Sequence, residues 1–259
     1  MNDIHKIIRR CAVVSLCSAP VFISLNALSA PSPWSVGVGA AYSPKVYKST
    51  SSNRTVIPII GYEGEHFFFR GFSTGYRFKP RSSVHNFTIR AIYDPRTFIP
   101  NDSNDANMKL LDERRDTVLA GASYQYTTPV GVIEAGGGVD ILGVHNGFYG
   151  ELSWKLPIRF KLGGITPAIG YSYNDNKLNQ HLYGVSQSES DRTSNNISEF
   201  DINGSGQFFV GLSGYVSLTR NLFVRGGIRY TNLEDDIEES PLLDSTVSTS
   251  ANIGIAYRF

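Results

Sequence analysis

Beyond the first thirty residues the chain contains no cysteine; its two, Cys11 and Cys17, both fall in the N-terminal segment. A chain that loses that segment has neither disulfides nor thiolate metal sites to hold it together. Charge is also scarce: 18% of the 259 residues are Asp, Glu, Lys or Arg, against ~25% in an ordinary soluble domain. The two signs nearly cancel, with 24 basic and 23 acidic residues, which argues against the basic footprint of a nucleic-acid-binding protein. Long apolar runs are missing as well. After the N-terminal segment no stretch approaches the ~18 uninterrupted apolar residues of a membrane-spanning helix, and no segment shows a convincing helical period. What is plentiful is glycine (25) and aromatics (15 Phe, 14 Tyr, 2 Trp). That much apolar surface excludes a disordered chain.

Residues 1–30 read as an export address. Lys6, Arg9 and Arg10 give a positive start, an apolar run from Cys11 to about Leu25 follows, and the small residues Ala27, Ser29 and Ala30 close it. This is the layout of a secretory signal peptide that is removed from the mature protein. Pro20, Ser24 and Asn26 interrupt the run too early for a comfortable membrane span. The expected organisation is therefore a cleaved segment 1–30 followed by a single domain over 31–259. An exported chain without disulfides has to be held by its core or by a closed hydrogen-bonded sheet.

The mature chain alternates with period two from end to end, the signature of strands exposed differently on their two faces. Along Phe148–Phe160, the residues Phe148, Leu152, Trp154, Ile158 and Phe160 share one face, and Glu151, Ser153, Lys155 and Arg159 share the other. Leu222–Thr231, Ile133–Ile141 and Ala251–Phe259 repeat the design. These segments run about 9–13 residues, longer than the usual 5–6 of a soluble strand and suited to crossing a bilayer at a tilt. Aromatics gather at their ends, where an interfacial girdle needs them. An Arg or Lys facing lipid at mid-bilayer costs about 2–4 kcal/mol, so the charged face has to point inward. The fold class expected is all-β, a transmembrane antiparallel barrel with short periplasmic turns and longer acidic extracellular loops. The lumenal charges expected are Arg90, Glu134, Asp140, Glu151, Lys155, Arg159, Arg225, Arg229 and Arg258. They either pair across strands to plug the bore or line a narrow path for small anions.

Strand number follows from parity, because bacterial single-chain barrels have even counts. Arg70 and Arg77 lie seven apart, so one unbroken strand cannot turn both towards the lumen. A full break near Gly71–Gly75 gives twelve strands and a bulge gives ten; twelve is preferred. The long polar connections are Asp94–Asp116, Asn174–Ser205 and Glu234–Asp244, and the last carries Glu234, Asp235, Asp236, Glu238, Glu239 and Asp244 with no basic residue. The acidic runs Asp102–Asp105 and Glu234–Glu239 are expected to be solvated loops in preference to Ca²⁺ or Mg²⁺ sites. No GxSxG occurs, the mature histidines His66, His85, His145 and His181 fall at turns, strand starts or loops, and the acidic runs lack EF-hand spacing. No catalytic residue, metal ligand or cofactor is assigned.

The chain ends Tyr257-Arg258-Phe259 with apolar residues at 255, 253 and 251, a pattern that resembles the label read by the barrel-assembly machinery of Gram-negative bacteria. GYEGEHFFFRG at Gly61–Gly71, GYRF at Gly75–Phe78, VGVGAAYSP at Val36–Pro44 and the final GIAYRF resemble the MipA/OmpV family (MltA-interacting protein). The resemblance implies a protein of the cell outer membrane, in contact with outer-membrane lipid and lipopolysaccharide. It also implies a non-enzymatic scaffold or interaction role linking a lytic murein transglycosylase to a murein synthase. The alternatives are a small channel with a basic-lined lumen and a surface adhesin using its acidic loops.

Overall fold

The computed structural model describes residues 32–43, 46–233 and 235–259; the expected export segment 1–30 lies outside them. Its strands are β1 (Trp34–Ser43), β2 (Asn53–Glu63), β3 (Phe67–Arg70), β4 (Ser73–Arg77), β5 (His85–Asp94), β6 (Thr117–Thr128) and β7 (Gly131–Asp140). They continue with β8 (Phe148–Lys155), β9 (Ile158–Phe160), β10 (Gly163–Asn174), β11 (Ser205–Ser217), β12 (Leu222–Leu233) and β13 (Val247–Arg258). All pairings are antiparallel, and the ladders β13–β1 and β10–β11 close the sheet on itself. Of the thirteen strands, β8 and β9 both pair with β10. They form one wall strand interrupted at Leu156–Pro157, where proline removes a ladder donor, so the barrel wall is twelve strands wide.

The alternation read from the sequence sets the two faces. Val38, Ile89, Leu152, Ile169, Val210 and Ile253 are exposed on the outside, while Ser123, Ser153, Ser172 and Arg229 are buried on the inside. Closure pairs every wall strand on two sides, as hydrocarbon demands, although β2 before Ile60 is laddered to β1 alone. Outward rings form a ladder near the chain termini: Trp34 against Tyr62 at 4.9 Å, Phe67 against Tyr76 at 4.9 Å, and Tyr257 against Phe259 at 5.4 Å between centroids. Ser32 N donates to Phe259 O at 2.8 Å, so both ends of the described chain meet at this rim. The short connections between β6 and β7, β9 and β10, and β11 and β12 lie here too, which makes it the periplasmic end. Close wall approach demands glycine at one notable place: a Cβ on the inward Gly121 would collide with the backbone of Gly137 across the β6–β7 ladder.

The break expected near Gly71–Gly75 is a hairpin turn at Gly71–Phe72, with Gly71 at φ +66°, a left-handed conformation that favours glycine. It divides the segment into β3 and β4 and turns both Arg70 and Arg77 inward. The hairpin is short. β2 pairs with β3 only over Gly61–Glu63, with one more bond from Gly71 N to Ile60 O at 3.2 Å.

The long connections are more than solvated loops, the expectation for the acidic runs in two of them. They fold over the extracellular mouth as a cap with its own apolar core, in which Met108, Val185, Ile237 and Leu242 have no exposed surface. Three short helices appear in it: α1 (Asn176–Tyr183), α2 (Gln187–Arg192) and α3 (Asp235–Glu238). Asp175 caps α1 by accepting from Leu178 N at 3.0 Å, and Ser186 with Glu189 forms a capping box on α2. Helices of eight and six residues are shorter than the 11–18-residue window in which a 3.6 period can be read. Each acidic or polar loop instead supplies several apolar anchors scattered along it, such as Ile237, Leu242 and Leu243 among the acids of the last loop.

Candidate functional site

The interior is built as three charged layers. At the periplasmic end Glu63, the last residue of β2, gathers three arginines: Arg70 Nε at 2.8 Å, Arg81 Nη1 at 3.7 Å, and Arg77 in closer contact still. Arg77 also donates to the carbonyls of Gly64 and Glu65 at 3.1 and 3.3 Å. The buried ring of Phe68 lies 4.6 Å from the Arg70 guanidinium and 4.7 Å from that of Arg77, so cation–π attraction adds to the charge pairing. Of this layer only Arg70 and Arg77 are legible in the sequence; Glu63 is an acid in a turn-like block until the fold points it inward.

The middle layer collects several of the expected lumenal charges. Lys155 Nζ donates to Glu134 at 2.7 Å and Arg90 to the other oxygen of Glu134 at 3.5 Å, joining β5, β7 and β8. Across the bore Arg229 donates to Glu151 at 3.1 Å, and Tyr149 Oη donates to the same oxygen at 2.5 Å. Arg225 faces the lumen with no carboxylate ion-paired to it among the described residues. The other expected positions stand apart. Arg159 is exposed at the periplasmic rim, because the interruption at Leu156–Pro157 carries β9 beyond the filled part of the bore. Asp140 ends β7 at the opposite rim, where it accepts from Thr117 Oγ1 at 2.5 Å and from the backbone N–H groups of Leu142, His145 and Asn146. Its work is to fold the β7–β8 loop. Arg258 sits over the Phe223 ring at 5.6 Å near the chain end.

The cap forms the third layer. Asp94, the last residue of β5, binds Arg96 at 2.5 Å, and both lie beneath the apolar core. Arg114 and Glu189 tie the β5–β6 loop to α2 at 2.8 Å, with 7% and 5% of their side chains exposed. Arg114 donates also to Gly184 O at 2.8 Å, and Glu189 accepts from Asp112 N at 2.9 Å and Ser186 N at 3.0 Å. Burial opposes the charge on Glu189, but Arg114 and these N–H groups outweigh it and hold the carboxyl at about 2. His181, on α1, is pushed down to about 4, first by burial and then by its neighbours His145 and Arg114, against an opposing bond to Arg115 O. Burial likewise lowers His145, whose ring lies 5.6 Å from that of His181.

Among the described residues no group of three or more His, Cys, Asp or Glu side chains is arranged to hold a metal ion. The other histidines among the described residues make local contacts: His66 Nδ1 lies 2.8 Å from Arg77 O, and His85 stacks on Tyr126 at 4.8 Å. Between the periplasmic layer and the cap, at the level of the middle layer, lies a cavity of about 230 Å³, bordered by Ile59, Phe68, Ile92, Arg90 and Arg225.

A closed antiparallel sheet with apolar side chains outside, rings at the rim and charge inside is a transmembrane β-barrel of the bacterial outer membrane. The family profile described as MltA-interacting protein MipA matches residues 36–259, and the chain belongs to that family. It is similar to the MltA-interacting protein of Escherichia coli (strain K12), with 32% identity over 91% of this chain and 94% of that protein. It is also similar to outer membrane protein OmpV of Vibrio cholerae serotype O1, with 23% identity over 87% of this chain and 86% of that one. The chain is an outer-membrane protein.

Proposed function

We propose that this barrel is a non-enzymatic interaction protein that binds a lytic murein transglycosylase at its periplasmic face and through it a murein synthase. The observation that carries the reading is the charge of that face. Lys79, Arg159, Lys161 and Arg220 are exposed on it, against Glu65 as the exposed acidic side chain among the described residues. Such a rim steers and orients an acidic partner surface, and it lies on the murein side of the membrane. The name of the Escherichia coli relative, an MltA-interacting protein, supports a partner of this class. The filled periplasmic layer and the capped mouth support a role on the barrel's surface over conduction through it.

Capture from detergent-solubilised envelopes tests the reading. The wild-type barrel is expected to retain a lytic murein transglycosylase. The triple substitution Lys79→Glu, Lys161→Glu, Arg220→Glu is expected to lower that retention about tenfold or more by placing like charges opposite one another. Recovery of neither a murein hydrolase nor a synthase with the wild-type protein contradicts the proposal, and undiminished recovery with the triple variant contradicts the rim's part in it.

A further inference from the structure

The cavity beneath the cap reaches the barrel wall where a ladder between neighbouring strands is missing. Because the β3–β4 hairpin turns at Gly71–Phe72, the part of β2 before Ile60 continues towards the cell surface with a ladder to β1 alone. The gap this leaves is framed on every side. β2 stands on one edge; β5, which pairs with β4 up to Ile92–Ser73, stands on the other. The hairpin tip is the sill. The lintel is a bridge between loops, where Ser103 Oγ donates to Lys48 O at 3.1 Å and Asn104 N to Ser49 O at 2.9 Å. In an antiparallel strand the backbone groups of alternate residues point to the same side. Since Ile60 O faces β3, the groups of Val56 and Pro58 face the gap. Proline is the residue expected at such an edge, having no N–H to leave unsatisfied. Open edge groups at membrane depth are tolerated where they line a cavity, and Ile57 and Ile59 of this stretch line this one, as do Phe72, Ser73 and Ile92 from the other side of the gap. Gly39 and Gly254, also in its wall, make room for the Ile59 side chain, which a Cβ at either would crowd.

The two ends of this space differ chemically. The window is apolar: Ile57, Ile59, Phe72, Ile92. The inner end is cationic. Of the charged groups there, Glu134 is held by Lys155 and Arg90, Glu151 by Arg229, and Arg70 by Glu63. Arg225 is left as the guanidinium without a carboxylate ion pair among the described residues. We infer that the window admits an amphiphile from the outer leaflet, a small alkyl carboxylate whose anionic head rests on Arg225 and whose chain lies across Ile57, Ile59 and Ile92. Cations outnumber carboxylates at this end, since Glu134 is shared by Lys155 and Arg90 and Arg225 has no ion pair among the described residues, so an anionic head is the complement. A volume of about 230 Å³, below the ~300–1,000 Å³ of a drug-sized pocket, sets the size at a single short chain and excludes a whole phospholipid. The cap above and the Glu63 layer below leave the wall as the route in.

The test is a titration of the full-length protein in zwitterionic nanodiscs with decanoate carrying a 13C carboxylate, read by NMR against empty nanodiscs. One saturable bound carboxylate per barrel is expected. Arg225→Gln weakens it about 10- to 100-fold, the loss of one charge-assisted contact, whereas Arg225→Lys retains most of the affinity. Ile57→Trp, which fills the window from the β2 side, abolishes the bound signal in protein whose heat-modified gel migration shows a folded barrel. A spectrum no different from empty nanodiscs overturns the proposal, as does decanol binding as tightly as decanoate. Binding that survives both Arg225→Gln and Ile57→Trp overturns it as well. The outcome is independent of murein-enzyme capture, which reads the opposite rim.

Discussion

Replacing Arg114 by alanine is expected to release the extracellular cap while leaving the barrel closed. Arg114 is the one side chain that ties the β5–β6 loop to both Gly184 and Glu189 of the β10–β11 loop. Removing one partner of a buried pair costs about 3–5 kcal/mol, because the other charge stays buried without it. Hydrogen exchange of 176–192 should then quicken by a factor on the order of 100 or more. The control is close by. Arg192 pairs with Asp112 at 2.8 Å with 41% and 62% of the side chains exposed, and an exposed pair of this kind is worth ~0–1 kcal/mol, so Arg192→Ala should leave exchange nearly unchanged. Acid should act in the same direction as Arg114→Ala. His181 is held neutral, with its folded value near 4 below the ordinary 6.5, so the unfolded cap binds more protons and stability falls as pH drops from ~6.5 to ~4. Glu189, held at about 2, contributes stability that is complete above its ordinary value of ~4.3 and is lost between there and about 2. Exchange in the cap should therefore rise in two stages on acidification, and Arg114→Ala should erase the second.

Glu63→Gln is expected to cause the largest loss in the barrel itself. Glutamine keeps the shape but leaves Arg70, Arg77 and Arg81 facing one another around a neutral group. Breaking a fully buried pair costs about 3–5 kcal/mol; this network is partly buried, which lowers that figure, while like-charge repulsion among the three arginines adds to it. The urea midpoint of the detergent-folded barrel should fall, with the β3–β4 hairpin the first element to lose exchange protection. The double variant Glu63→Gln, Arg77→Met should recover part of the loss, since replacing a buried ion pair by an apolar group of similar volume is often neutral. Unchanged midpoints would mean that the periplasmic layer is solvated and contributes little.

The barrel was legible because hydrocarbon outside and a narrow bore inside force every strand to sort its residues with period two. The same rule exposed the hairpin, since Arg70 and Arg77 cannot both face inward on one strand. It placed Glu134, Glu151, Lys155 and Arg229 on the inner face but could not say which pairs form. Pairing depends on register and on bore width, which join Glu134 to Lys155 and Arg90, and Glu151 to Arg229 across the barrel. Glu63 was invisible as a network centre because its partners come from a turn and two short strands. The cap was the largest omission. Its apolar anchors, such as Met108, Val185, Ile237 and Leu242, are scattered among polar residues, so no periodic signal marks them, and only the loops' convergence over one mouth makes a core.

The Glu63 layer at one end and the cap at the other close this barrel along its axis, and the proposed role lies at its surfaces. Planar-bilayer recording of the purified, folded protein tests that closure most directly. No ohmic conductance steps are expected from the wild-type protein near neutral pH, where His181 is neutral and Glu189 is charged. Stable steps of uniform size under those conditions would contradict it.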